Sequence, residues 1–302
     1  MKVSRRDNIL RVTRPVCFLA SRYQLCAEHY TIIVSVVPNP SGSRSSEQAP
    51  GSIGRTHSLL ATDIDGTLVL EGSRQPGLEE LKAVLAARSG SFLFAVATGR
   101  DIHQIRQIID DYGIPYPDVV VSDVGTQIRY GLTAERDTSW TAHLNSRWSP
   151  RHVMALLCNV RGLRLQEPER QGHFKISFYV QPGFDRQALD AAIAECRGEI
   201  NVVLTQNTYL DLLPARASKG HAIRYLRQKW SIPRERTLVC GDSGNDIDML
   251  NCGQAVVVGN YSPELEPLRG RPGVFFTSYA AAAGILDGIE HFHFPKTGEV
   301  TS

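Results

Sequence analysis

Two aspartates spaced two apart, in Ala61-Thr62-Asp63-Ile64-Asp65-Gly66-Thr67, stand where an apolar run ends. In an extended segment such residues project to the same side. Asp63 and Asp65 would then face the crevice beyond the strand's carboxyl end, where open α/β sheets bind ligands. One carboxylate of such a pair can attack while the other handles protons. The same residues also fit an Asp-rich turn in which Gly66 supplies a positive φ. A second acidic pair, Asp242 and Asp246, lies in Cys240-Gly241-Asp242-Ser243-Gly244-Asn245-Asp246, again directly after an apolar run. Carboxylates that converge repel one another unless a cation joins them, and their hard oxygens suit Mg²⁺. Helix capping accounts for one of these two acids but not for both.

Two shorter stretches complete the set. Thr98-Gly99-Arg100 ends a second apolar run, and Lys219-Gly220 opens a helical pattern. A hydroxyl at a strand end and an ammonium at a helix start can both address phosphate oxygens, helped by the helix dipole. Each has a plainer reading, since a lysine at a helix end is commonly a solvated surface residue. Lys175 heads a strand otherwise rich in apolar and aromatic residues, where it serves either a sheet edge or a ligand.

These residues need elements to hold them. Strand patterns at 58–64, 91–98 and 118–124 alternate with helical patterns at 78–88 and 102–112. The alternation resumes with strands at 237–241, 255–259 and 274–277 and a last helix at 280–289. Continuous apolar strands alternating with helices predict an α/β fold, a doubly wound parallel sheet covered on both faces. The middle is built otherwise. Ser149-Pro150 offers a helix start running to 160, followed by a strand at 175–180, a helix at 185–196, and strands at 201–205 and 209–213. The expected organisation is a larger core at 58–135 and 214–295 with a smaller α/β cap inserted at 136–213.

Composition excludes several classes. Apolar residues make up 42% of 302, enough for a sizeable core. The formal charge of +2 is uneven, because residues 1–57 hold 8 Lys/Arg against 3 Asp/Glu. The remainder is therefore slightly acidic, which argues against a nucleic-acid platform. Apolar runs are far shorter than the roughly 18 residues of a membrane span. Residues 1–57, basic and then rich in Pro, Gly and Ser, read as a disordered tail or an over-extended start. A transit peptide would share the Arg content, but no cleavable apolar stretch follows a charged start. Six cysteines without C-x-x-C spacing fit reduced thiols in a cytoplasm. No G-x-G-x-x-G or P-loop follows the first strand, and His291 and His293 have no Cys partner nearby that would suggest a metal site.

Read in order, the four stretches, each at a strand end or helix start, resemble the haloacid dehalogenase superfamily of phosphatases. The likeness runs over 59–294 and leaves out residues 1–57. Within that superfamily the wording is most similar to the sucrose-phosphate phosphatase family: Val124-Gly125-Thr126-Gln127-Ile128, Lys175-Ile176-Ser177-Phe178-Tyr179-Val180, Asp211-Leu212-Leu213-Pro214, and Leu238-Val239 leading into the second acidic pair. Gln127 departs from that pattern, standing where an acidic residue is usual. The resemblance implies a magnesium-dependent phosphomonoesterase in which Asp63 forms an aspartyl phosphate and Asp65 acts as general acid, then base. It implies Mg²⁺ held by Asp63, Asp242, Asp246 and the Asp65 backbone carbonyl, with Thr98 and Lys219 on the phosphate oxygens. Gly99, Arg100, Gln127, Lys175 and Asn245 are the expected substrate contacts. The expected substrate is sucrose 6-phosphate, with mannosylfructose phosphate next, and an association with a sugar-phosphate synthase is expected. A phosphomutase and a catalytically silent phosphatase-like module are the alternatives. The silent module would have lost some of the six residues Asp63, Asp65, Thr98, Lys219, Asp242 and Asp246, all of which are present.

Overall fold

Strands with two apolar faces need cover on both sides, and that requirement shapes residues 58–295. The computed structural model describes residues 3–6, 9–12 and 58–295, apart from 73, 89, 134, 146, 147, 197 and 206. The unit Met1–Gly51 contains two antiparallel strands, Val3–Arg6 (β1) and Ile9–Val12 (β2). The expectation of a tail over 1–57 otherwise falls outside the described residues.

In the unit Ser52–Ser302 the chain runs through β3 (Ser58–Thr62), α1 (Leu78–Ala87), β4 (Phe92–Ala97), α2 (Ile102–Tyr112), β5 (Val119–Ser122) and β6 (Gln127–Tyr130). A short helix α3 (Thr138–Asn145) leads to α4 (Pro150–Leu157), β7 (Leu163–Leu165), β8 (Ile176–Val180), α5 (Arg186–Ala194), β9 (Ile200–Thr205) and β10 (Tyr209–Pro214). The chain returns as α6 (Lys219–Lys229), β11 (Thr237–Gly241), α7 (Ile247–Leu250), β12 (Gln254–Val257), β13 (Val274–Phe276) and α8 (Ala281–His291).

The main sheet has seven strands in the order β13-β12-β11-β3-β4-β5-β6. All its pairings are parallel except that of β5 with β6, an antiparallel edge the sequence pattern did not reveal. Every side chain of β3 is buried because alternate residues feed two different cores. Leu59 and Ala61 pack with Ile223 and Leu226 of α6, whereas Leu60 packs with Leu81, Leu85, Ile105 and Ile109. The sheet is thus covered on both faces, and truncating any of these leucines to alanine would cost about 2–5 kcal/mol. From β3 the chain moves outward through β4 and β5, then returns on the other side of β3 as β11. The carboxyl ends of β3 and β11 therefore flank a topological switch point, where such sheets bind ligands. Asp101 caps α2 by accepting from the His103 and Gln104 N–H groups, which fixes the turn that follows Thr98-Gly99-Arg100.

The inserted unit is a four-stranded antiparallel sheet in the order β7-β8-β10-β9. Its core joins Val153 and Leu157 of α4 and Leu189 of α5 to Ile176, Phe178, Leu210 and Leu212. Alternation sends Ser177, Tyr179, Tyr209 and Asp211 to the opposite face. A cap drawn from residue 136 would include α3, but Trp140 and Leu144 of that helix are buried in the main core with Val121, Ile128 and Ile223. The indole of Trp140 also donates to the Gly125 carbonyl at 3.1 Å. The insertion's own fully buried core begins at Val153, with Trp148 packed against it, and α4 stops at Leu157 rather than at 160.

Candidate active site

β3 and β11 are neighbours in register, with Thr62 opposite Cys240. The acids that follow them in sequence are therefore brought together across 175 or more positions of chain by sheet pairing alone. Asp63 donates its backbone N–H to the Cys240 carbonyl at 3.1 Å, which extends the pairing one residue and aims its side chain into the crevice between the strand ends. Carboxylate oxygens of Asp63, Asp242 and Asp246 all lie within 4.8 Å of one another. Lys219, fully buried at the start of α6, reaches in with Nζ at 3.0 Å from Asp63 Oδ1, 2.8 Å from Asp246 Oδ1 and 3.2 Å from Asn245 Oδ1. Asp246 is further fixed by the Asp242 and Ser243 N–H groups, which donate to its Oδ2.

Three carboxylates share one ammonium, and the charge imbalance shows in their proton affinities. Burial pushes the Asp63 carboxyl up; Lys219 opposes this, while Asp246 and Asp242 add to it. Burial and Asp246 push Asp242 up from 3.8 to about 6, against the hydrogen bond it accepts from Thr67. Burial disfavours the Lys219 ammonium, but Asp246 and Asp63 outweigh it and raise its affinity for the proton. Asp63 Oδ1 is buried with the Lys219 ammonium, at 3.0 Å, beside it. A cluster of three buried or half-buried carboxylates whose charge exceeds that of the one ammonium fits a divalent cation such as Mg²⁺. Soft or nitrogen donors are absent from the set.

The loop after β3 is shaped for this approach. Gly66 has φ +79, and a Cβ there would fall 2.4 Å from Asp242 Oδ2, so no side chain fits. Thr67 donates its hydroxyl to Asp242 Oδ1 at 2.9 Å. Asn260 donates to the Gly66 carbonyl at 2.7 Å and accepts from the Ala281 N–H at 2.9 Å, tying the loop to the start of α8. Asp65 turns outward from the three acids and is gripped by Arg100 in a two-pronged pair, both contacts 2.7 Å. Arg100 is thus engaged with the other motif acid. Thr98 is buried at the end of β4, where its Oγ1 accepts from the Arg100 N–H at 3.2 Å. Gly99 lies between them with only Val124 Cγ2 near the place of a Cβ.

A second charged group sits where the inserted sheet meets the core. Lys175 Nζ is 3.2 Å from Asp123 Oδ1, both side chains nearly buried, and Gln127 donates its amide to Asp123 Oδ2. Burial raises the Asp123 carboxyl despite Lys175. Asp211, on the face of the inserted sheet away from its helices, accepts from Ser177 and is also raised by burial, with Lys175 opposing. Asp123 and Val124 have φ +50 and +58, and Gly125 follows at +88. Left-handed conformation at a β-branched residue is strained and persists only when its surroundings hold it. Here the Asp123 and Val124 N–H groups donate to the Arg100 and Thr98 carbonyls, both at 3.0 Å. A Cβ on Gly125 would strike Ser218 at 2.2 Å. The strained turn thus links Thr98, Arg100, Lys175 and the start of α6.

The structure therefore gathers Asp63, Asp242, Asp246, Lys219 and Asn245 into one cluster. It places Asp65 with Arg100 beside that cluster, and Gln127 with Lys175 at the junction with the inserted sheet. Thr67, Asp123, Asp211 and Asn260 were missed by sequence reasoning. Thr67 was within reach, as the last residue of the first motif. Asp123 was signalled by a charge directly after the all-buried strand β5. Among the described residues, no helix is long and apolar enough to cross a membrane.

Comparison with known proteins gives consistent results. The model of the sucrose-6F-phosphate phosphohydrolase family matches residues 56–293. Sucrose-phosphatase 1 of Nicotiana tabacum is 32% identical over 79% of the chain, which spans 60% of that protein's length. The mannosylfructose-phosphate phosphatase of Agrobacterium fabrum is 29% identical over 78% of the chain and 96% of its own. Among solved structures, the sucrose-phosphatase of Synechocystis, in complex with sucrose and phosphate, superposes with a TM-score of 0.72 at 32% identity, covering 80% of this chain and 99% of that one.

Proposed function

Because the chain belongs to the sucrose-6F-phosphate phosphohydrolase family, and is a sugar-phosphate phosphatase of haloacid dehalogenase fold, we propose that it hydrolyses a disaccharide phosphate, sucrose 6-phosphate, through a phosphorylated Asp63. The observation that carries the reading is the convergence of Asp63, Asp242, Asp246 and Lys219 at the ends of two adjacent parallel strands.

Asp63 attacks phosphorus in line and takes the phosphoryl group, splitting one difficult displacement into two easier ones. Asp65 gives a proton to the departing sugar oxygen and then accepts one from the water that cleaves the acyl phosphate. For this it must exchange its grip on Arg100 for the leaving group, which frees the guanidinium for the substrate. Lys219 holds the Asp63 carboxylate in place and offers charge to a phosphate oxygen, with Thr98 on the other side of the group. Asp63, Asp242 and Asp246, with the Asp65 carbonyl, would hold Mg²⁺, which when bound offsets the repulsion between carboxylate and phosphate dianion. Asn245 steadies Lys219, and Gly99 leaves room beside Thr98.

Phosphate is common to every candidate substrate, so discrimination falls to the junction of the inserted sheet with the core. Lys175, Asp123, Gln127 and Asp211 supply donors and acceptors there, and sites built to bond hydroxyls strongly reject molecules that lack them. The inserted unit, proposed to be a cap that closes over the crevice, also excludes water during transfer. Mannosylfructose phosphate is the second reading, favoured by the likeness to the Agrobacterium phosphatase over nearly its full length. A cytoplasmic location accords with the described cysteines, Cys158, Cys196, Cys240 and Cys252, all free thiols. An association with a sugar-phosphate synthase, the enzyme class that makes such a substrate, belongs to the same proposal.

Phosphate release from a panel of sugar phosphates with Mg²⁺ tests it. Sucrose 6-phosphate should give a kcat/KM at least about a hundredfold above glucose 6-phosphate or fructose 6-phosphate. Lys175→Ala should lower the disaccharide value while leaving a small aryl phosphate nearly unchanged. Equal kcat/KM across the panel would reduce the assignment to a general sugar phosphatase.

A further inference from the structure

A separate cavity of about 350 Å³ is lined by Arg224, Arg227, Gln228, Ser231, Ile232 and Pro233. Arg224 and Arg227 are three apart on α6 and so share one face of it. Arg227 donates to the Ile232 and Cys252 carbonyls, at 3.3 and 2.5 Å, and Arg224 donates to Cys252 Sγ at 3.3 Å. All three acceptors are uncharged, and they occupy a minority of the guanidinium N–H groups. Arg234, donating to the Asn251 carbonyl, adds a third positive charge nearby. Burial lowers the proton affinity of Arg227, and the charges of Arg234 and Arg224 act in the same direction. Two carboxylates stand near. Glu235 faces Arg227, and Asp248 is already engaged by the Gly220 N–H at the start of α6. Half-buried guanidinium groups bonded only to neutral acceptors leave positive charge without a full partner, and their planar forks match oxyanions.

We propose that this cavity is a binding site for a phosphate-type oxyanion, either inorganic phosphate or the phosphate group of a small metabolite. Arg224 and Arg227 hold the charge, and the Ser231 hydroxyl and Gln228 amide supply further donors. The site does not depend on the reading of the acidic crevice. It does share elements with it: α6 begins at Lys219, and α7, which precedes Cys252, follows directly on Asp246. A bound oxyanion would therefore strengthen the tie between α6 and the turn after α7; the opposite ends of both helices begin at the acidic cluster.

The test uses the full chain in excess EDTA, where the excess negative charge of the crevice repels phosphate and the arginine cavity is the favoured site. Inorganic phosphate, titrated calorimetrically, should bind with a Kd of about 1 mM or below, and Arg224→Gln should weaken it at least about tenfold. Ser231→Asp offers a second variant, since the residue is exposed at φ +54, a conformation aspartate tolerates. It should weaken binding similarly by placing negative charge at the mouth. Both variants should keep the parent melting temperature and a steady-state kcat, with Mg²⁺, within about twofold. Crystals soaked in phosphate should show tetrahedral density against Arg224 and Arg227. Glucose 6-phosphate, titrated in parallel, separates the sources: tighter binding than inorganic phosphate assigns a phosphorylated metabolite, and weaker binding assigns the free ion. Unchanged affinity in Ser231→Asp and Arg224→Gln, or no density at the arginines, would overturn the proposal. Saturation only far above the millimolar range would mean an adventitious ion only, and would overturn it equally.

Discussion

Asp63→Asn should lower kcat for every phosphate ester by about 10⁴-fold or more, the scale seen when a covalent nucleophile is removed. The amide has nearly the shape of the carboxylate but lacks its charge and nucleophilicity, so no phosphoenzyme can form. The fold should survive, because the charge of Asp63 is already disfavoured by burial and by three neighbouring acids, Asp246, Asp242 and Asp65. Asp65→Asn should behave differently. Its carboxylate lies outside the acidic cluster and half-exposed, in the grip of Arg100. Loss of a general acid typically removes about 10²–10⁴-fold, and most where the leaving group needs the proton. A sugar alkoxide needs it, whereas an aryl oxide does not, so activity on an aryl phosphate should fall far less. Parallel kinetics on one sugar and one aryl substrate check this. Equal losses on both substrates would refute the division of roles.

Removal of divalent cation should abolish turnover, by about a thousandfold or more, and added Mg²⁺ should restore it. The stability consequence has a definite sign. Burial and Asp246 push the Asp242 carboxyl from an ordinary 3.8 up to about 6, so the metal-free fold holds this proton to higher pH than the unfolded chain does. That contribution is fully present below about 3.8 and is lost as pH rises through about 6. In EDTA the melting temperature should therefore decline between these limits, with Asp63 acting in the same direction. Mg²⁺ binds the ionised carboxylates, so its stabilisation should be small at the acid end and grow above pH 6. Thermal melts across this range, with and without Mg²⁺, check the sign. Full activity in EDTA, or equal Mg²⁺ stabilisation at both ends, would contradict the proposed use of the three acids.

The acidic cluster was legible because each of its parts is a contiguous stretch directly after an apolar strand. Asp63 and Asp242 are far apart in sequence, yet the alternation of strands and helices predicts a parallel sheet, and β3 and β11 lie side by side in it. Lys219 was legible only as a residue at a helix start; its burial against two carboxylates depends on how α6 packs on β3 and β11. Pairings between elements were hidden. Nothing local to Arg100 indicates that it grips Asp65, and nothing local to Asp123 indicates Lys175, which the inserted sheet delivers from 52 positions away. α3 falls inside the range 136–213 expected of the cap, whereas Trp140 finds its hydrogen-bond acceptor at Gly125 and its packing in the main core. Element ends moved by one to three residues, as tertiary packing decides where a helix such as α4 frays.

The covalent role of Asp63 admits one direct measurement. The full chain, mixed with substrate and Mg²⁺ and quenched in acid within a single turnover, should carry phosphate on the peptide containing Asp63, detected by peptide mass mapping, and Asp63→Asn should carry none. Phosphate on that peptide that forms and decays as fast as product appears is the predicted result. Turnover at the full rate with no phosphorylated peptide at any quench time, or phosphate on another residue, would contradict it.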